Sequence, residues 1–67
     1  MTTYNLSALL KGTAREIIFN APDDNQAIFD AVFMILDKAS TSEIWAKGSI
    51  QLRNTNTGEL LKEMEAK

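Results

Sequence analysis

Apolar and polar residues alternate from Tyr4 to Leu10. Tyr4, Leu6, Ala8 and Leu10 fall on one side, and Asn5, Ser7 and Leu9 on the other. A period of two with the apolar residues on one side predicts a half-buried strand. Lys11-Gly12 supplies a tight turn, because glycine enters the left-handed region without strain. The chain returns through Ala14–Asn20, with Ile17 and Phe19 on one face and Glu16 and Ile18 on the other. The first two strands therefore read as a hairpin over about residues 3–20.

The period changes after Pro22. Asp23 is a good N-cap, Gln26 three residues later suits a capping box, and Asp24 favours the positive end of the helix dipole. A helix is predicted over about residues 23–39. At 100° per residue, Ile28, Val32, Ile35 and Ala39 centre its apolar arc, with Ala31 beside them. The arc is wider than the stripe of little over 100° that a surface helix needs. Phe29, Phe33 and Leu36 extend one flank and Ala27 and Met34 the other, leaving Gln26, Asp30 and Asp37 as a narrow polar ridge.

Alternation resumes at Glu43 and runs to Asn54. Ile44, Ala46, Gly48, Ile50 and Leu52 share one side, and Trp45, Lys47, Ser49, Gln51 and Arg53 share the other. Because Gly48 keeps the phase, this segment reads as one long strand, bent or bulged at the glycine. Asn54–Glu59 is a turn segment, with Asn for an Asx-turn and Gly58 for the left-handed position. A last strand reaches about residue 64, with Leu60 and Leu61 on opposite sides, and Glu65–Lys67 is expected to fray. The predicted fold is one α+β domain spanning residues 1–67. It has ββαββ order: a four-stranded antiparallel sheet with one helix on one face and a second hairpin over about residues 43–64.

Composition narrows the function. The 67-residue chain has no cysteine and no histidine. Disulfides, thiolate or imidazole metal sites and histidine-based catalytic triads are therefore excluded. Gly12, Gly48 and Gly58 stand alone rather than in a nucleotide-binding loop. Asp23-Asp24 is accounted for by capping, and Asp30 and Asp37 by the solvated ridge. Catalysis, cofactors and metals are not expected. A formal net charge of −2 disfavours general affinity for nucleic acid, which requires a positive field. No apolar run is long enough to cross a membrane and the N-terminus lacks the pattern of a signal peptide, so a cytoplasmic protein is expected.

A small domain without disulfides or a metal adds core through a partner or a second copy. Phe29, Phe33 and Leu36 are the expected contact, with a second on the outer sheet face from Leu9, Ile18 and Trp45, since tryptophan is enriched among interface hot spots. A homodimer, or a complex with another protein, follows. The alternative is a single-stranded nucleic-acid binder in which Trp45 stacks on a base while Lys47 and Arg53 hold the backbone.

The segments "APDDNQAIFDA" and "SEIWAKGSIQL" resemble a pattern in short bacterial and phage proteins with an N-terminal hairpin, an acidic helix cap and a Glu-hydrophobe-Trp strand opening. In size, acidity and layout the chain is similar to phage-encoded inhibitors, including some anti-CRISPR proteins. That resemblance implies a non-enzymatic protein that blocks a partner's surface, and it carries over no catalytic residue.

Overall fold

The computed structural model describes residues 1–65. Its elements are β1 (Thr2–Leu10), β2 (Thr13–Ala21), α1 (Asp24–Ala39), α2 (Glu43–Lys47), β3 (Ser49–Asn54) and β4 (Leu60–Glu65). The strands form one antiparallel sheet in the order β2-β1-β3-β4, and α1 packs on one face. The expected α+β layout of two hairpins around a main helix is present. Residues 66 and 67 of the expected frayed tail lie outside the described residues, and β4 runs on through Glu65.

The first hairpin forms as its sequence dictates. Lys11 and Gly12 both have positive φ, 52° and 79°. This is the geometry of a two-residue turn whose twist matches the strands it joins. Tyr4, Leu6 and Ala8 are buried toward the helix. Opposite Tyr4, Phe19 stacks its ring at a centroid distance of 5.7 Å.

Pro22 closes β2, and the Asp23 carboxylate accepts the Gln26 N–H at 2.8 Å. The expected capping box is only half made, because the Gln26 side chain turns forward and donates to Asp30 at 2.8 Å. The side of α1 that meets the sheet carries Ala27 and Ala31, fully buried, with Ile28, Met34 and Ile35 packed around them. Val32, expected at the centre, is 37% exposed at the edge. Two interactions set this rotation. Alanines let the helix come close to the sheet, and Asp24 must point inward. Its carboxylate accepts hydrogen bonds from the Tyr4 hydroxyl at 2.8 Å and from Asn54 Nδ2 at 3.3 Å. Asn54 in turn accepts the N–H groups of Asn56 and Thr57 through its side-chain oxygen. Tyr4, Asp24 and Asn54 thus tie β1, α1 and β3 together with their buried polar groups satisfied, which spares the penalty of orphaned ones.

The long strand expected over Glu43–Asn54 is a correction. Its first half is the short helix α2, and only Ser49–Asn54 is strand. Ser42 precedes the helix, Glu43 occupies its first turn, and Gly48 ends it by donating its N–H to the Ile44 carbonyl at 3.0 Å. In a helical turn Trp45 points inward, and it is 6% exposed in the core with Leu6, Ile50 and Leu52. Gly48 is not a bulge. A Cβ there would lie 2.5 Å from the Ile44 carbonyl oxygen and 2.8 Å from that of Leu9, so glycine is needed for close approach rather than for an unusual φ.

The second hairpin closes as expected, with Gly58 at φ 76° and its N–H donating to the Asn54 carbonyl at 2.7 Å. The register of β4 is settled by a bulge: Leu52 pairs with Lys62 and Arg53 with Leu60. Leu61, the extra residue, packs against the core, while Leu60 stays 40% exposed.

Candidate interaction surface

The side of α1 turned away from the sheet carries Phe29, Val32, Phe33 and Leu36. The spacing i, i+3, i+4, i+7 places them in one stripe over two turns. Phe29, Phe33 and Leu36 are 65%, 68% and 65% exposed. Isolated surface hydrophobes are ordinary, whereas a contiguous group marks an interaction surface. Three of these residues are those expected from the sequence. Val32 is the residue that reasoning missed, having been assigned to the sheet side. The signal was its position between Phe29 and Leu36, three residues on from one and four before the other.

The stripe has unequal borders. At 100° per residue, Asp30 and Asp37 line one side of it, and Asn25, Val32 and Ala39 lie toward the other. The single basic residue of α1, Lys38, falls near the sheet side and not on the acidic border. The stripe is therefore apolar along its length and negative along one edge.

The outer sheet face offers no second stripe. Leu9 and Ile18 are exposed there, 52% and 56%, but the register gives neither a large apolar side chain as its direct cross-strand neighbour: Leu9 pairs with Ala14 and Ser49, and Ile18 with Asn5. The row across the sheet through Ile18 reads Ile18, Asn5, Arg53, Leu60. Its polar members are engaged: Asn5 donates to Glu16 at 3.0 Å, and Arg53 donates to the Gly58 carbonyl at 3.3 Å. Leu9 borders a shallow depression of about 220 Å³ lined by Ser7, Ala8, Ala14, Ser49 and Gln51. That lining holds no acid or base for catalysis.

Trp45 is a correction as an outer-face anchor, since it is buried on the opposite side of the sheet. The set Trp45, Lys47 and Arg53 is likewise not assembled. Trp45 lies in the core, Lys47 is exposed in the last turn of α2, and Arg53 alone is on the outer face. A stacking ring flanked by cations is therefore not built from these three residues.

Among the described residues no group of three or more carboxylates gathers to hold a metal ion, and no helix is long and apolar enough to cross a membrane. The phenol of Tyr4 is raised above its ordinary pKa, first by burial and then by its hydrogen bond to Asp24 and that residue's charge. Tyr4 sits within the fold as a structural joint and does not line the depression beside Leu9. No protein-family model matches the chain, and neither a curated protein nor a solved structure matches it.

Proposed function

We propose that the protein is a small non-enzymatic interaction module that docks the outer stripe of α1 onto another protein and acts by covering that protein's surface. The observation that carries this reading is the exposed run Phe29, Val32, Phe33, Leu36 on a helix whose other face is already satisfied by the sheet. An amphipathic helix laid into an apolar groove is a recurrent recognition mode, read as anchors at this spacing. The acidic border selects the partner's chemistry: an apolar groove or helix with lysine or arginine along one rim. A second copy fits this face less well. Two such helices paired antiparallel about a two-fold axis at the centre of the stripe bring like borders together, setting Asp30 of one copy beside Asp37 of the other. An inhibitor of the kind phages encode would act through such a face.

The test is capture from lysate of the cells that carry the gene, using wild type, Phe33→Lys, Leu36→Lys and Leu9→Lys in parallel. The expected result is a protein retained stoichiometrically by wild type and by Leu9→Lys, lost with both stripe variants, and released by moderate salt. Equal retention by all four variants overturns the reading. So does sedimentation showing that Phe33→Lys turns a dimer into a monomer, since the stripe would then be occupied by a second copy.

A further inference from the structure

The two edges of the sheet are built differently. β4 is short, carries the bulge at Leu61 and bears Lys62, Glu63 and Glu65. Charges and a bulge are how proteins blunt an edge against unwanted pairing. β2 is nine residues long and pairs with β1 in unbroken register from Thr13 to Ala21. It has no bulge and no proline within it; its two charges, Arg15 and Glu16, lie in its first half, and the apolar run Ile17-Ile18-Phe19 follows them. Among the described residues no strand pairs with that edge.

The bonding parity of β2 is fixed by its neighbours. The Thr55 N–H donates to the Thr3 carbonyl, so the odd-numbered residues of β1 bond toward β3 and the even-numbered ones toward β2. In an antiparallel ladder bonded pairs alternate with non-bonded pairs. With Leu10 opposite Thr13 and Leu6 opposite Ile17, residues 13, 15, 17, 19 and 21 bond inward. The N–H and C=O groups of Ala14, Glu16, Ile18 and Asn20 point out from the free edge.

We propose that β2 is the seam of a symmetric dimer. It pairs antiparallel with β2 of a second copy about Ile18, giving one continuous eight-stranded sheet. In this register Ile18 exchanges both backbone bonds with the partner's Ile18, and Glu16 exchanges both with the partner's Asn20. On the helix side Ile17 faces the partner's Phe19; on the outer side the two Ile18 side chains meet. Apolar residues oppose apolar ones, and no like charges stand directly opposite, the arrangement that favours cross-strand pairs. Shifting the two-fold to Glu16 would set carboxylate against carboxylate, and shifting it to Ile17 would set Glu16 against Ile18. The polar pair is prepared as well. Asn20 Oδ1 already accepts from the Thr3 hydroxyl at 2.9 Å, and Glu16 Oε2 accepts from Asn5 at 3.0 Å. The Asn20 amide group is left to donate to the partner's Glu16 at its other oxygen. The contact is isologous, the commonest way for a chain to close on itself.

The two-fold axis runs perpendicular to the sheet, so both α1 helices stand on the same side with their stripes pointing away from it. The seam is independent of the docking proposed above. Only the two-site presentation rests on that reading.

Sedimentation and residue-resolved amide exchange test the seam. Wild type is expected at twice 7.5 kDa at submillimolar concentration, with the Glu16, Ile18 and Asn20 amides gaining protection as concentration rises. Ile18→Lys places two like charges at the two-fold and is expected at 7.5 kDa, with Trp45 emission unchanged to show that the fold persists. Ile18→Pro deletes an outward N–H without removing a bond to β1, and it is expected to give the same result. Phe33→Lys is expected to remain dimeric. A wild type that is monomeric at every concentration overturns the proposal. So does a dimer that survives both Ile18 variants, or one lost with Phe33→Lys.

Discussion

If the core and the stripe of α1 are energetically separate, replacing Phe33 leaves the fold almost untouched while replacing Trp45 removes a large share of its stability. Full burial of a phenylalanine side chain is worth about 1.5–3 kcal/mol. Phe33 is 68% exposed, so removing its hidden third costs ~0.5–1 kcal/mol on the same scale. Lysine returns part of this. It is the better helix former by ~0.3 kcal/mol, and it stands three residues after Asp30 and four before Asp37, where ion pairs contribute ~0.2–0.5 kcal/mol each. Phe33→Lys should thus lie within ~0.5 kcal/mol of wild type, as surface substitutions generally do. Trp45 is 6% exposed, and Trp45→Ala should cost about 3–5 kcal/mol. A domain of this length has on the order of 3–10 kcal/mol in all. Urea unfolding followed by far-ultraviolet circular dichroism reads both variants at low protein concentration. With a slope of ~1 kcal/mol per molar urea, Phe33→Lys should move the midpoint by no more than ~0.5 M, while Trp45→Ala should lower it by ~3–5 M. A loss above ~1.5 kcal/mol for Phe33→Lys, beyond what its buried fraction supports, would make Phe33 a structural residue and remove the basis for the docking face.

Gly48→Ala forces a methyl group against the carbonyls of Ile44 and Leu9 and should cost about 1–3 kcal/mol, as overpacking does; an unchanged urea midpoint would mean that α2 moves freely over β1. Asp23→Ala removes the acceptor for the Gln26 N–H and should cost ~1 kcal/mol, with Asp23→Ser restoring most of it in the same titration. The folded chain holds the neutral Tyr4 phenol, raising its pKa above 10.0. Stability should therefore be unaffected by this group below pH 10.0 and fall as pH rises through the folded value. Tyr4→Phe should abolish that alkaline decline, and a Tyr4→Phe profile parallel to wild type would sink the assignment.

The hairpins and α1 were legible because each has enough residues to display its period, together with a turn or cap residue at its end. Residues 43–48 were not. Five residues of helix show barely more than one turn, and Ile44, Ala46 and Gly48 happen to continue the alternation of β3. Trp45 was consequently turned outward by the strand reading, and with it went the supposed cluster with Lys47 and Arg53. The rotation of α1 was hidden for a different reason. Hydrophobic pattern weighs bulk, so it favoured Val32 at the centre, whereas the sheet accepts Ala27 and Ala31 because they permit close approach and bring Asp24 to Tyr4 and Asn54. Phe29, Phe33 and Leu36 were legible as a surplus, because one sheet face cannot cover so wide an arc. Strand order depends on tertiary pairing alone. Only the order β2-β1-β3-β4 shows that Ile18 and Leu60 lie at opposite margins of the outer face.

Of the four strands, β1 precedes the others in sequence yet lies inside the sheet. During synthesis β1 can zip against β2 as soon as the turn at Lys11-Gly12 has emerged, but its other margin stays open until residues 49–54 arrive. For that interval the nascent hairpin offers Tyr4, Leu6 and Ala8 uncovered, and closure waits on contacts distant in sequence, the kind that slow folding. The Tyr4–Asp24–Asn54 joint is completed only when β3 reaches its end, so it acts as a latch that reports the arrival of the third strand.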